Sequence, residues 1–253
     1  MPSDVNDVNI GPMTTPRKGG YHHGDLRNAL VGAALRLVAK HGVEGFSLRE
    51  AARAVGVSAA AAYRHFEDRS ALLKALAHEG LARLALEMEE AIETAPGAPA
   101  SPARAAAELT RIGAAYVEFA IAHPSHFRVM FGPWCDLGDQ LAPELLPRGR
   151  DPLQLLVDTL DGMVRTRAIT PAARQGAEVS AWSAVHGLAS LLVEGGLPLG
   201  AAERARAHGA LLRTLLLGLG VSPELAGPPL GGPTVDLPPE RTLRRPRPAK
   251  ARR

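Results

Sequence analysis

Between Phe46 and Leu73 the chain gathers hydroxyls, guanidinium groups, a phenol and an imidazole: Ser47, Arg49, Arg53, Ser58, Tyr63, Arg64, His65 and Arg69. Their surroundings are basic. Residues 17–75 hold ten Lys/Arg against five Asp/Glu, whereas residues 76–221 hold twelve against sixteen. Residues 222–253 are basic again, with seven against three, so a net charge of +3 conceals a strong segregation. Donor groups on a basic block beside an acidic middle suit a polyanion-binding module joined to something else.

The same stretch punctuates itself into helix, tight turn, short helix and the start of another helix. Ser47 with Glu50 forms a capping box, and Leu48, Ala51, Ala52 and Val55 follow as one apolar stripe. Gly56 is placed for a left-handed C-cap, Val57 to plug the turn, and Ser58 to cap the next helix, about Ala59–His65. A helix that short is unstable alone and has to be presented by its neighbours. This is the layout of a DNA-binding helix-turn-helix, whose second helix enters the major groove.

A chain of 253 residues can bury a substantial core. Its one cysteine, Cys135, excludes an internal disulfide and fits a reducing compartment. No leader-like or membrane-spanning apolar stretch is visible, so a soluble cytoplasmic protein is expected. The short histidine spacings, His22-His23 and His123-x-x-His126, lack the Cys or carboxylate partners of a zinc pattern; no metal and no cofactor are expected. Neither a phosphate-cradling loop nor a nucleophile elbow occurs, so no enzymatic activity is expected. Cys135, in a Gly/Pro-rich loop, reads either as incidental or as a redox-sensitive thiol.

Helical punctuation continues along the chain. Residues 1–20 read as a mobile arm, and a first helix is predicted from a cap at Asp25 to His41, with Leu26, Leu30, Ala33, Leu37 and Val38 inward. Asp68 caps a long fourth helix carrying Leu72, Leu76, Leu84, Met88 and Ile92. After the break at Pro96-Gly-Ala-Pro99, Ser101-Pro102 opens a helix whose face is Leu109, Ile112, Tyr116, Phe119 and His123. Further helices are predicted at 125–131, 153–167, 171–194 and 203–219, and the Pro/Arg-rich residues 222–253 read as a disordered tail. With no alternating β-branched run, the expected fold is all-α, with nine or ten helices. The domain plan is an arm at 1–20, a three-helix helix-turn-helix domain at 21–75, a helical bundle at 76–221 and the tail.

The amino-terminal pattern resembles the tetracycline-repressor (TetR) family of bacterial transcriptional regulators. The matching residues are the Leu26–His41 helix, Phe46-Ser-Leu-Arg-Glu50, Gly56-Val-Ser58, Tyr63-Arg-His-Phe66 and Asp68-Arg-Ser-Ala-Leu-Leu73. The prefix Gly20-Tyr-His-His-Gly-Asp-Leu-Arg27 is similar to a branch whose carboxy-terminal domain carries Trp-x-x-x-His-Gly, here Trp182, His186 and Gly187. Gly187 on this reading permits close helix packing. The resemblance implies a homodimer on a pseudo-palindromic DNA operator, each subunit pairing a helix-turn-helix domain with a ligand-binding and dimerisation domain. Dimer contacts are implied for the last two long helices, about 171–194 and 203–219. Leu188, Leu191, Leu192, Leu211, Leu215 and Leu216 there are either interface or internal core. Two-fold symmetry implies recognition helices about 34–36 Å or somewhat more apart.

Carried over position by position, Ser47 and Arg49 reach phosphates from a helix start, where free N–H groups and the helix dipole favour an anion. Ser58, Ala59, Ala60 and Ala61 open the recognition helix; Tyr63, His65 and Arg69 match DNA-contacting positions, and Arg64 is placed for phosphate or a guanine edge. Ala59–Ala62 departs from the polar residues common there, so direct base readout is expected to be modest and DNA deformability to matter more. Arg17 and Lys18 either follow the minor groove or sit on a flexible terminus. Phe119, Phe127, Met130, Trp134, Trp182 and His186 are candidate lining for an apolar small-molecule effector that releases a repressor from its operator; the same positions also suit ordinary core. The alternative is a DNA-binding protein without small-molecule control, either a constitutive regulator or an architectural binder.

Overall fold

The computed structural model of the chain describes residues 23–135, 146 and 148–229. The expected arm with Arg17 and Lys18, His22 of the histidine pair, most of the loop before Gly149 and the tail beyond residue 229 lie outside these. The described residues form ten helices and no strand. By its internal contacts the chain divides into two compact units that meet between Leu72 and Leu73.

The first unit is built from α1 (His23–His41), α2 (Leu48–Ala54), α3 (Ala59–Tyr63) and the first turn of α4 (Arg69–Glu93). Helix α1 starts two residues before the expected cap at Asp25, since a first turn has no intrahelical N–H partners to lose and tolerates His23 and Gly24. It ends at Gly42, whose φ of +74° is open to glycine without steric cost. Leu30, Ala33, Ala34, Val38, Phe46, Leu48, Ala51, Ala52, Ala62, Phe66 and Leu72 form the buried centre of this unit.

The turn between α2 and α3 follows from its residues. The Ser47 Oγ accepts the Glu50 N–H at 3.2 Å, and the Glu50 carboxylate accepts the Ser47 N–H at 2.7 Å, closing the capping box. Gly56 takes φ +75°; the Val57 N–H donates to the Ala52 carbonyl and the Gly56 N–H to that of Arg53, a Schellman closure. Ser58 Oγ then accepts from the Ala61 N–H, and Asp68 Oδ1 from the Ala71 N–H at 2.8 Å. Each cap of this kind contributes about 1 kcal/mol. Helix α3 is two residues shorter than the expected Ala59–His65, because Arg64 already serves as its C-cap.

The second unit comprises the rest of α4, then α5 (Pro102–Ala122), α6 (Pro124–Met130), α7 (Pro152–Arg165), α8 (Pro171–Arg174), α9 (Ala177–Val193) and α10 (Ala201–Gly218). Helix α5 is its centre, packed by α6, α7, α9 and α10. Ala105, Leu109, Ile112, Gly113, Tyr116, Val117 and Phe119 are all buried. Gly113 sets the approach to α10: a Cβ there would lie 2.7 Å from Leu212 Cδ2.

The continuous helix expected over 171–194 is broken. Gln175 is extended and Gly176 left-handed at φ +70°, which separates α8 from α9. Arg174 clamps the break, reaching Asp161 on α7 at 2.7 Å and Glu178 on α9 at 2.5 Å. Helix α9 carries apolar residues on every side, yet Val179 and Leu191 are exposed, by 64% and 51%. Val179, Ser183, Gly187 and Leu191 recur every four residues and so form one exposed, uncharged face. Gly187, expected to permit close helix packing, lies on that open face, with nothing within 4 Å of where a Cβ would be.

Candidate nucleic-acid interface and ligand cavity

Each unit holds one candidate site. In the first unit, Ala60, Tyr63 and Arg64 stand at i, i+3 and i+4 and share the exposed face of α3. Tyr63 is a large side chain left 47% exposed in an otherwise well-buried unit. Arg49 and Ser58 are also exposed, while Ala59 and His65 are half-buried. Three expected contact residues have a different setting. Ala61 is buried, because the inward face of so short a helix falls on Ala61 and Ala62. The Ser47 hydroxyl is engaged at both ends, donating to Glu50 at 2.9 Å and accepting the Glu50 N–H. These bonds hold the Glu50 carboxyl below its usual range, and they leave the backbone of α2's first turn as the anion-directed feature.

Arg69 is drawn into the unit. Its guanidinium donates to the Val43 carbonyl, pairs with Glu44 at 3.3 Å and lies 5.3 Å over the Phe46 ring. It therefore fastens the start of α4 to the loop before α2. Arg27 stacks similarly over Phe66, 5.3 Å from the ring centre.

The second unit contains a cavity of about 120 Å³. It is lined by Leu81, Leu84 and Met88 of α4, Leu109, Ile112 and Tyr116 of α5, Leu156 of α7, Trp182 and Val185 of α9, and Leu212 and Leu215 of α10, together with Phe131, Cys135 and Asp151–Leu153, where the 44% exposed Leu153 marks its mouth. Of the six expected lining residues only Trp182 is among them. Phe119 is fully buried against His123, their ring centres 5.0 Å apart. Met130 is buried against Gly80, where a Cβ would lie 2.9 Å from the thioether sulfur. Trp134 donates its N–H to the Val129 carbonyl at 2.7 Å and folds over Gly132, closing its own turn. Phe127 and His186 stack at 5.3 Å behind the lining.

The polar end of the cavity is a three-residue chain. Trp182 Nε1–H donates to the Tyr116 hydroxyl at 3.3 Å, and that hydroxyl lies 2.8 Å from His186 Nδ1. Burial pushes the Tyr116 phenol above its ordinary range and the His186 imidazole below its own. Both groups are thus kept neutral, and the imidazole tautomer sets which of them donates. Tyr116→Phe leaves two ring nitrogens without this partner; a cost of about 1 kcal/mol is expected, read as a melting temperature lower by about 2–4 °C.

His123 and His208, like His186, have their pKa lowered chiefly by burial. The unfolded chain then binds protons that the folded one refuses, so stability present above about pH 6.5 is lost as the pH falls below it. The melting temperature at pH 5.5 should lie below that at pH 7.5, and the fall should be smaller in His186→Gln. An equal fall in both proteins would contradict the assignment of His186.

No helix among the described residues is long and apolar enough to cross a membrane. The two units, a capped helix-turn-helix and a helical bundle enclosing a cavity, are those of a DNA-binding architecture with a candidate ligand site. Residues 30–76 match the family described as bacterial regulatory proteins, tetR family. Residues 109–216 match the tetracyclin repressor-like, C-terminal domain. The chain belongs to the TetR family and is on that ground a DNA-binding transcription regulator.

Among solved structures, a protein with unknown function from Rhodococcus sp. RHA1 is 34% identical, covering 79% of this chain and 97% of its own, with a TM-score of 0.63. A TetR family transcription regulator from Marinobacter aquaeolei VT8 is 18% identical, with 77% and 95% covered and a TM-score of 0.54. A TetR variant from Acinetobacter baumannii AYE, solved in complex with minocycline, is 17% identical, with 76% and 95% covered and a TM-score of 0.54. The latter two likenesses concern the fold. No curated protein matches the chain.

Proposed function

We propose that the protein is a sequence-specific, non-enzymatic repressor that binds a pseudo-palindromic operator as a homodimer and is released by an apolar small molecule held in the second unit. The observation that carries this reading is the exposed face Ala60–Tyr63–Arg64 on a helix capped at both ends and anchored by buried Ala61, Ala62 and Phe66. Arg49, Ser58, Ala59 and His65 flank that face, the first turn of α2 approaches phosphate, and Arg69 positions the start of α4. The plan is an arm at 1–20, a DNA-binding domain at 21–75, a ligand-binding and dimerisation domain at 76–221 and a tail at 222–253. Within the family, Trp182, His186 and Gly187 support the branch with a Trp-x-x-x-His-Gly signature.

Dimerisation is assigned to α9 and α10. A helix apolar on every side belongs in an interior, and α9 leaves Val179 and Leu191 in the open. In-vitro transcription from a promoter overlapping the operator tests the proposal. Less transcript with the protein, and recovery when a cavity ligand is added, are expected. Unchanged transcript would sink repression, and repression that no cavity ligand relieves would favour a constitutive regulator.

A further inference from the structure

The cavity is distinctive for the charges it lacks. Its titratable lining consists of Asp151, Tyr116 and Cys135; no Lys, Arg or His is among the described lining residues. The nearest arginines in sequence to the mouth residue Asp151 are already engaged. Arg148 reaches Glu89 at 3.6 Å and also pairs with Glu93, while Arg150 lies 3.4 Å from Glu89 and 3.5 Å from Asp158. Glu89 is almost wholly buried, so its carboxylate holds both guanidinium groups where they are. Counting Asp151, the acids of this cluster outnumber its bases.

Hydrogen-bonding capacity inside is equally small. Trp182 N–H and the Tyr116 hydroxyl satisfy each other and His186. Asp151 accepts the Gln154 N–H at 2.8 Å as the cap of α7. Among the described lining residues an anion would lose its hydration and meet no cation, a costly way to bury a charge. Size narrows the class further. A cavity of about 150 Å³ lined by Leu, Ile and Phe accepts benzene; this one, about 120 Å³ and open at the 44% exposed Leu153, has room for one ring whose substituent lies at that opening.

We infer that the cavity selects by charge, taking a compact uncharged ring compound and turning away a carboxylate of the same shape. This rests on the reading of the cavity as the effector site, and the test keeps the two apart. Acetophenone and benzoate share a ring and a planar carbonyl and differ in charge, so calorimetric titration of the full chain with each at pH 7.5 isolates that difference. Acetophenone should bind at least tenfold more tightly.

Leu153→Arg is the companion variant. Leu153 is 44% exposed at the mouth, so the change leaves the core intact while adding a cation. It should strengthen benzoate binding severalfold and narrow the gap. Benzoate binding as well as acetophenone, heat from neither compound, or a gap unmoved by Leu153→Arg would each overturn the inference. DNA release is read separately in a gel shift. Acetophenone binding without release would leave charge selection standing and remove the effector reading. Release by a tighter-binding benzoate would do the reverse.

Discussion

Tyr63→Ala is expected to weaken binding to operator DNA by about 30-fold while leaving the melting temperature within a degree or two. The side chain is 47% exposed on the outer face of α3, so its removal opens no cavity and strands no buried partner. What it removes is a phenol standing beside Arg64 on the face assigned to the groove. A lost contact of this kind costs about 1 kcal/mol, and a two-fold complex loses it twice, so about 2 kcal/mol or 30-fold is expected. Gel-shift titration at constant salt reads the affinity, and thermal melting reads the fold. Unchanged affinity would remove α3 from the interface.

Leu191→Glu should have a larger effect, on assembly. Leu191 is half in the open on α9, in line with Val179, Ser183 and Gly187, and Gly187 leaves room for a second backbone to approach. Burying a leucine against a partner contributes about 1.5–3 kcal/mol. In a symmetric interface the substitution is felt twice, and the dimer constant should weaken about a thousandfold. Light scattering should report half the mass of the parent at micromolar concentration, with the helical content unchanged. Operator affinity should fall with it, since a single helix-turn-helix reads one half-site. A variant that stays dimeric would move the interface off this face.

Much of this was legible in the residues, because caps and turns are local. Ser47 with Glu50, Gly56, Ser58, Asp68 and Ser101-Pro102 each act within three or four positions, and each does in the structure what its type and spacing imply. The break at Gly176 was not legible. A glycine inside a helical pattern is ordinarily tolerated, and what favours the left-handed turn is Arg174 bridging Asp161 and Glu178 across it.

The cavity has no local signature either. Large side chains suggest Phe119, Phe127, Met130 and Trp134 as lining, but Phe119 packs on His123, Phe127 on His186, Met130 against Gly80 and Trp134 on its own turn. The empty space instead lies among Val185, Leu212 and four residues, Leu84, Met88, Leu109 and Ile112, whose spacing places them on apolar helix faces without marking a cavity. Nor does any local pattern pair Tyr116 with His186, seventy positions apart. Arg69 likewise stands at a DNA-contacting position by resemblance, yet its partners Val43, Glu44 and Phe46 become apparent only once α4 is folded back toward that loop.

Sequence-specific recognition by a two-fold assembly is the claim on which the rest depends, and selection from a pool of random DNA duplexes at ~150 mM salt tests it most directly. Successive rounds should enrich one pseudo-palindrome, its half-sites about one helical turn or somewhat more apart, with two chains bound per duplex. Binding that persists without enrichment of any sequence would contradict the account and make the protein an architectural binder held by charge.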